Sequence, residues 1–289
     1  MIYGILALGV YITYKILDFP DLTVDGCFPF GAAVTVRMIA AGVPAAVTLP
    51  VAFLGGVLVG ICTGLIHVKL KVRDLLSGII MMTGLYTVNL WVAGTGYVAI
   101  FNKETIFSNS LTDKLFPENF RQFRMVVIIF LIAMAVKCLL DWYMKTKAGF
   151  LLRAAGDNDT LVTSLGVDKG RVKIAGLAIA NGLVALSGCI YAQQQRCFEI
   201  SIGTGAVVIG LASVIMGTSI RNIRPLKKMK LLGATGSVLI GSILYKGCVA
   251  LAMFAGVDAN AIKLITAALF LVILVVSMDK KKTDRRRAK

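Results

Sequence analysis

The chain has 289 residues, of which 57% are hydrophobic and only 16% are charged, and its mean hydropathy is +0.83. A water-soluble domain of this length cannot bury so much apolar side chain, so the composition excludes a soluble globular protein. The formal net charge of +16 does not indicate a nucleic-acid-binding protein, because the basic residues stand at the ends of apolar runs and not along one helical face.

Long apolar runs follow one another along the chain, separated by short polar joints. A membrane-spanning helix needs about 20 apolar residues, and unbroken runs favour helices over the alternating strands of a β-barrel. We therefore predict an all-α, polytopic membrane bundle of eight or nine helices. The second and seventh runs are short, so each is a candidate for a broken or re-entrant helix. The predicted spans are 1–17, 27–42, 45–67, 74–94, 124–143, 173–194, 204–217, 231–254 and 261–278.

An acidic segment, residues 18–26, follows the first run directly. Pro20 and Gly26 predict a break in the helix, and three carboxylates within eight positions are costly in lipid unless they meet water, a cation or a helix N-terminus. One interpretation is a broken-helix element that lines a translocation path or its gate. The other is a solvated loop in which Asp25 caps the next helix. The residues assigned to the path or gate are Asp18, Pro20, Asp21, Thr23, Asp25 and Gly26.

Glycines recur at every fourth position of the third run, as Gly56, Gly60 and Gly64. Such a ridge of small residues lets a neighbouring backbone approach closely. Helix dimerisation is one use of it, but packing against another helix of the same chain is more common and is what we predict.

The polar joint at 147–167 is predicted to hold a short helix against one face of the membrane. Asp157 or Asn158 can cap such a helix and Gly166 can end it. A short surface helix of this kind is either a docking site for a soluble partner or an ordinary loop helix, and the spacing alone leaves both open.

Arg37, Lys137 and Lys246 are basic residues within apolar runs, where an ionised side chain at mid-depth costs at least about 2.5 kcal/mol. Arg37 and Lys137 stand near span ends and can reach the interface, whereas Lys246 lies deepest in its span. Lys246 is therefore added to the candidates for the translocation path. Pairing with an acidic residue or snorkelling to the interface is the alternative.

The uncharged polar groups and cysteines of the spans are assigned to packing. Amide side chains are expected to form hydrogen bonds between helices, and the cysteines are expected to be small buried residues. His67 is the single histidine and no CxxC pair occurs, so no metal site is predicted. The amides are Asn89, Asn181, Gln193, Gln194 and Gln195; the cysteines are Cys27, Cys62, Cys138, Cys189, Cys197 and Cys248.

Basic residues are distributed unevenly between the two sides of the membrane. With the 147–167 joint in the cytoplasm, 22 of the 31 Lys and Arg residues fall on that side. The asymmetry predicts a plasma (inner) membrane protein with its N-terminus outside and its C-terminus in the cytoplasm. Residues 1–278 then form the membrane domain, and 279–289 a basic cytoplasmic tail.

Several strings resemble the permeases of ATP-binding cassette (ABC) importers of the branched-chain amino acid and ribose type. The string Leu-Arg153-Ala154-Ala155-Gly156-Asp157-Asn158, followed by Leu-Gly166-Val, is similar to their coupling loop. Residues 16–26 look like the branch associated with tryptophan and tyrosine uptake, and the resemblance covers nearly the whole chain. Further similar stretches are 76–86, 181–188 and 208–217.

The resemblance implies a permease homodimer in the lipid bilayer, seated on cytoplasmic ABC ATPase subunits. An extracytoplasmic binding protein or lipoprotein would deliver a small amino-acid-like solute. The residues between Arg153 and Gly166 would sit in a groove of the ATPase. The chain has no Gly-Lys dipeptide, which a phosphate-binding Walker A loop requires, so ATP would bind to the partner and this chain would hold no cofactor.

Two other functional classes are alternatives to an importer permease. An ion-coupled secondary transporter of small solutes should carry acidic residues deep in several helices, and outside residues 18–25 and Asp141 the spans hold essentially none. A membrane enzyme would need a clustered nucleophile, base or metal set, and no such set is recognisable.

Overall fold

A computed structural model of the chain describes residues 1–109, 121–157, 159–164, 166–221 and 233–254, with short helical stretches between 264 and 275. Two three-residue strands, β1 (Tyr97–Ala99) and β2 (Cys197–Glu199), pair antiparallel, and a 3-10 turn over Ile200–Gly203 follows β2. The helices are α1 (Ile2–Val10), continued by a π-helical turn over Tyr11–Ile16, α2 (Thr23–Ala40), α3 (Ala45–Lys69), α4 (Asp74–Ala93), α5 (Arg121–Met144), α6 (Lys147–Asp157), α7 (Asp159–Ser164), α8 (Lys169–Gln195), α9 (Ala206–Arg221) and α10 (Ala234–Phe254).

The predicted all-α membrane bundle is confirmed in the described part of the chain. Six helices there are long and apolar enough to cross a bilayer, and the first apolar helix, Ile2–Ile16, is shorter. The count of eight or nine spans stays a prediction. The ninth predicted span, 261–278, is described only in fragments, and the tail 279–289 lies outside the described residues. The six helices are Ala45–Lys69, Asp74–Ala93, Phe123–Met144, Lys169–Gln195, Ile200–Ser219 and Ala234–Phe254.

Helix α8 forms the centre of the bundle and is the most buried of the six. The glycine ridge of α3 packs on it, as predicted: a Cβ atom at Gly60 would overlap the backbone of Leu177, and one at Gly64 would stand 2.9 Å from Cγ1 of Ile174. Small residues therefore bring the α3 and α8 backbones into direct contact, which supplies dispersion attraction that lipid cannot replace.

The bundle has two ends, which we call the sheet end, holding β1 and β2, and the α6 end, holding α6 and the start of α8. Helix α1 starts near the sheet end, where the carbonyl of Ile2 accepts a hydrogen bond of 2.9 Å from the Ser187 hydroxyl. Helix α2 starts between the two ends, because its Cys27 thiol donates to the carbonyl of Asn181, in the middle of α8. The break between α1 and α2 therefore lies inside the bundle.

The expectation that the cysteines are buried is wrong for most of them. All six are free thiols, and only Cys27 and Cys189 are buried, whereas Cys62 and Cys138 are exposed. Cys62 is two residues from Gly60 and so faces away from the ridge that packs on α8. An apolar run buries one face against protein and turns the other outward, so hydropathy alone does not identify the buried side.

Candidate functional site

The acidic segment forms a sharp break after the π-helical turn of α1. The turn is closed by hydrogen bonds of 2.9 Å from the Leu17 amide to the Ile12 carbonyl and from Phe19 to Thr13. Asp18 then adopts a left-handed backbone conformation with φ of 51°, and Pro20 prevents the helix from continuing. Asp18 and Pro20 are exposed. The predicted break is therefore present at Pro20.

Asp21 lies in the interior, against the middle of α8. Its carboxylate accepts hydrogen bonds from the side-chain amide of Asn181, at 2.8 Å, and from the backbone amide of Thr23, at 2.9 Å. The Thr23 hydroxyl in turn lies 3.2 Å from that of Thr63 on α3. A buried carboxylate is tolerated when donors satisfy it, so this cluster pins the start of α2 to α3 and α8.

Asp25 connects the two helices that begin inside the bundle. Its carboxylate oxygens accept hydrogen bonds from the backbone amides of Gly205, at 3.1 Å, and Val207, at 2.8 Å, at the start of α9. These amides have no acceptor within their own helix, so a carboxylate there satisfies them and complements the positive end of the helix dipole. Asp25 caps α9, not the helix that the capping alternative assumed.

Gly26 corrects part of the sequence interpretation, because it does not break a helix. It lies inside α2, where a Cβ atom would stand 3.0 Å from Cβ of Leu85 on α4. The carbonyl of Gly26 also accepts a 3.0 Å hydrogen bond from the side-chain amide of Asn89, another α4 residue. Glycine is needed at this position for close packing of α2 on α4.

A cleft of about 510 Å³ opens between α2, α4 and the turn that leads into α9. Asp25, Gly26 and Asn89 lie on its walls, and the exposed side chains of Thr83 and Tyr86 stand at its mouth. Sequence reasoning missed the wall formed by the turn, although two glycines flanking Thr204 signal an irregular backbone. The lining consists of Asp25, Gly26, Pro29, Met82, Thr83, Tyr86, Asn89, Ile200, Ser201 and Thr204.

Lys246 lies apart from this cleft. Its ammonium group sits 3.9 Å from the centre of the Tyr3 ring, between α10 and α1, in a cation–π arrangement. Lys137 instead forms a 3.0 Å ion pair with Asp141 one helical turn away. The predicted path residues thus divide among the exposed break, the Asp21 cluster, the cleft and the Lys246–Tyr3 contact.

The predicted coupling segment folds as α6 and α7 at one end of the bundle. Helix α6 presses on the π-helical turn: a Cβ atom at Gly156 would overlap the carbonyl oxygen of Ile16 and stand 3.2 Å from Cα of Leu17. Leu152 is buried, while Arg153 and Asp157 are exposed. Ala155 is buried, Ala154 is half-buried, and Asn158 lies outside the described residues.

The end of α7 follows the rule for a glycine terminator. Gly166 has φ of 71°, a left-handed conformation that favours glycine, and its amide donates to the carbonyl of Thr163 at 3.0 Å. Asp168 then caps α8 by accepting from the amide of Gly170 at 2.8 Å. The predicted coupling segment is thereby followed by a capped start of α8.

The segment from Ile16 to Asp25 joins these two regions through the backbone. One side of it touches Gly156 of α6, its middle is held by Asn181, and its far side caps α9 at the edge of the cleft. The arrangement offers a mechanical connection between a surface helix and an internal cleft. Among the described residues no group of three or more metal-binding side chains occurs.

Comparison with known families bears on this arrangement. The family described as the permease component of the branched-chain amino acid transport system matches residues 1–276. The chain belongs to this permease family. Its members are transport permeases and not enzymes, which agrees with the expectation drawn from the sequence.

The permease is similar to several curated proteins over much of its length. A tyrosine transport system permease protein of Clostridioides difficile is 35% identical, covering 99% of this chain and 92% of the relative. A probable branched-chain amino acid transport permease of Methanocaldococcus jannaschii is 26% identical over 71% of this chain and 66% of its own. A ribose import permease of Haemophilus influenzae is 22% identical over 74% and 64%. No solved structure matches the permease.

Proposed function

We propose that this chain is the membrane-spanning subunit of an ABC importer that moves a small amino-acid-like solute into the cell. The free energy would come from a separate cytoplasmic ATPase that binds ATP. Membership of the permease family supports the transport role, and the name of the Clostridioides difficile relative supports an amino acid as solute.

The observation that carries the proposal is the close packing of α6 against the π-helical turn of α1. The exposed side of α6, which includes Phe150 and Arg153, is available to a soluble partner, while Gly156 and Leu152 pack against the membrane bundle. A helix anchored in this way transmits displacement instead of absorbing it, because close-packed interiors deform little. Movement of a bound ATPase would therefore reach the segment that ends at Asp25.

The partners and orientation follow from the same proposal. Cytoplasmic ATPases require the α6 end to face the cytoplasm, which agrees with the excess of Lys and Arg in the joints on that side. A binding protein or lipoprotein would then dock at the sheet end. The outward apolar faces of α3, α4 and α5 would contact lipid and a second permease copy, with exposed side chains such as Leu58, Trp91 and Leu131.

Reconstitution tests the energy source. The chain, co-expressed with its ATPase and binding protein, is placed in proteoliposomes, and uptake of labelled L-tyrosine and a panel of amino acids is followed with ATP or with a proton or sodium gradient. We expect uptake that needs ATP and the binding protein. Uptake driven by the ion gradient in a preparation without ATPase would overturn the proposal in favour of a secondary transporter.

Cysteine labelling tests the orientation. A Phe150→Cys variant, made in a background where the four cysteines that are not buried (Cys62, Cys138, Cys197 and Cys248) are replaced, is treated with a membrane-impermeant maleimide in intact cells and in inverted vesicles. We expect labelling only in inverted vesicles. Labelling of intact cells would place α6 outside and refute its role as the ATPase contact.

A further inference from the structure

The side chains that line the cleft beside the start of α9 favour a ligand group that donates hydrogen bonds. The polar side chains of the cleft include one carboxylate, one carboxamide and several hydroxyls, while Pro29, Met82 and Ile200 are apolar. No lysine or arginine lines it in the described part of the chain. A site with acceptors and no cation favours a positively charged donor over a carboxylate or phosphate.

Asn89 supplies the sharpest indication. Only 1% of this residue is exposed, and its amide nitrogen donates to the Gly26 carbonyl, which can only accept, so the orientation of the amide is fixed. Its oxygen, Oδ1, then has no hydrogen-bond partner among the described residues. A buried acceptor left unpaired is unfavourable and rare in native proteins, so its position on the wall of a cleft calls for a donor from outside.

Asp25 provides a second acceptor nearby. The backbone amides of Gly205, Ala206 and Val207 hydrogen-bond the carboxylate, but a carboxylate offers about four acceptor positions, so one remains. The half-exposed carboxylate also gives the cleft its negative charge. Because the start of α9 offsets part of that charge, Asn89 is the cleaner residue to test.

A primary ammonium group matches these acceptors. It carries three donors and no acceptor, and it can meet Asn89 and Asp25 at once while the rest of the molecule lies on the apolar wall and the Tyr86 ring. An inorganic cation would instead demand a shell of six or more oxygen ligands, which a wall with several apolar residues does not offer. The cleft volume of about 510 Å³ falls in the usual range for small-molecule sites.

We propose that this cleft is a subsite for the ammonium group of the transported solute, with Oδ1 of Asn89 and the carboxylate of Asp25 as its acceptors. The subsite rests on the proposed importer function and deepens it. It defines the solute as a primary amine with an apolar or aromatic body, taken up beside the point where α9 begins.

The test is direct binding of radiolabelled tyramine to the permease–ATPase complex in lipid nanodiscs, without the binding protein. Tyramine keeps the amine and the ring, and 3-(4-hydroxyphenyl)propanoate, which lacks the amine, serves as competitor. The Asn89→Leu and Asn89→Asp variants both lose the hydrogen bond to Gly26, so the difference between them isolates the acceptor. Thr87→Val is the matched control on the same helix, because Thr87 is exposed and does not line the cleft.

We expect saturable binding of tyramine that the propanoate does not displace. Asn89→Leu should weaken binding about tenfold to a hundredfold, the usual effect of losing a hydrogen bond to a charged group. Asn89→Asp should bind at least as tightly as wild type, and Thr87→Val should bind tyramine with wild-type affinity. Co-elution with the ATPase verifies that each variant is folded.

Three results would overturn the subsite: no tyramine binding, equal displacement by the propanoate, or equal affinities of the leucine and aspartate variants. Displacement of tyramine by millimolar sodium would do the same and assign the cleft to an inorganic cation. ATP-driven uptake, measured after the same permease–ATPase complex is reconstituted with its binding protein in proteoliposomes, distinguishes failure of the subsite from failure of the importer. Uptake without the binding pattern refutes the subsite alone, whereas the binding pattern without ATP-driven uptake refutes the importer.

Discussion

Replacing Gly156 by alanine is the most direct test of the contact between α6 and the π-helical turn. The added methyl would overlap the carbonyl oxygen of Ile16 and come within 3.2 Å of Cα of Leu17. Both of these are backbone atoms, so no side-chain rotation can relieve the clash, and α6 or the turn must move. Overpacking of this kind costs about 1–3 kcal/mol.

The clash destabilises the position in which α6 packs against the π-helical turn. It does not destabilise the α6 helix itself, since alanine is a better helix former than glycine. A shift of about 1–3 kcal/mol between the packed and displaced positions of α6 changes their ratio by about 5- to 150-fold. We therefore expect the complex in proteoliposomes to hydrolyse ATP while uptake per ATP falls by at least about fivefold. Insertion of the permease into the membrane should be normal.

Gly84→Ala is the matched control, because a Cβ atom at that helical position meets nothing within 4 Å. It should leave the ratio of uptake to hydrolysis at the wild-type value and the thermal stability equal or slightly higher. A Gly156→Ala variant with wild-type uptake per ATP and wild-type stability would refute both the close contact and its role in coupling.

Three further predictions concern the polar contacts between helices. Asn181→Ala should lower the free energy of unfolding in detergent by about 1–3 kcal/mol, because Asp21 loses one of its side-chain donors; an unchanged value would contradict the buried cluster. Asp25→Ala should cost about 0.5–2 kcal/mol and speed hydrogen exchange in the first turn of α9, and exchange at the wild-type rate would exclude the cap. A double-mutant cycle of Lys246→Met with Tyr3→Leu should give a coupling of about 0.5–2 kcal/mol, whereas strict additivity would exclude the cation–π contact.

Hydropathy predicted the long helices well because lipid imposes one simple requirement. The predicted span 45–67 corresponds to Ala45–Lys69, and 74–94 corresponds to Asp74–Ala93. Each of these helices is bounded by residues that end a helix for local reasons, such as Gly94, which has φ of 85°. Where the length of an apolar run and a helix-ending residue indicate the same boundary, the sequence is sufficient to predict the helix.

The start of α2 was placed four residues late for an identifiable reason. Residues 23–26 contain an aspartate and a glycine, which are poor helix formers, so local preference favours a loop there. In the structure those residues are helical because Asp21 bonds the Thr23 amide and Gly26 packs on α4. Tertiary contacts outweigh propensity here, and one sequence does not reveal them.

The cleft could not have been predicted either, since its walls come from segments more than 50 residues apart. Asn89 and Asn181 look alike in the sequence, as single amides within apolar runs, and each donates a hydrogen bond to another segment. Only the structure distinguishes them: Asn181 meets a buried carboxylate, whereas Asn89 lies on the wall of an open cleft.

The three acidic residues of the break show how helix geometry separates functions that the sequence presents together. Asp18 precedes Pro20 and is exposed, because the chain there has left the α1 helix and not yet entered the next. Asp21 turns inward to α8, and Asp25, in the first turn of α2, points to α9. Asp21 and Asp25 are four residues apart but do not share one side of a helix, because α2 begins only at Thr23, after Asp21. A break at this place thus lets one short segment contact α6, α8 and α9 together, which an unbroken helix could not do.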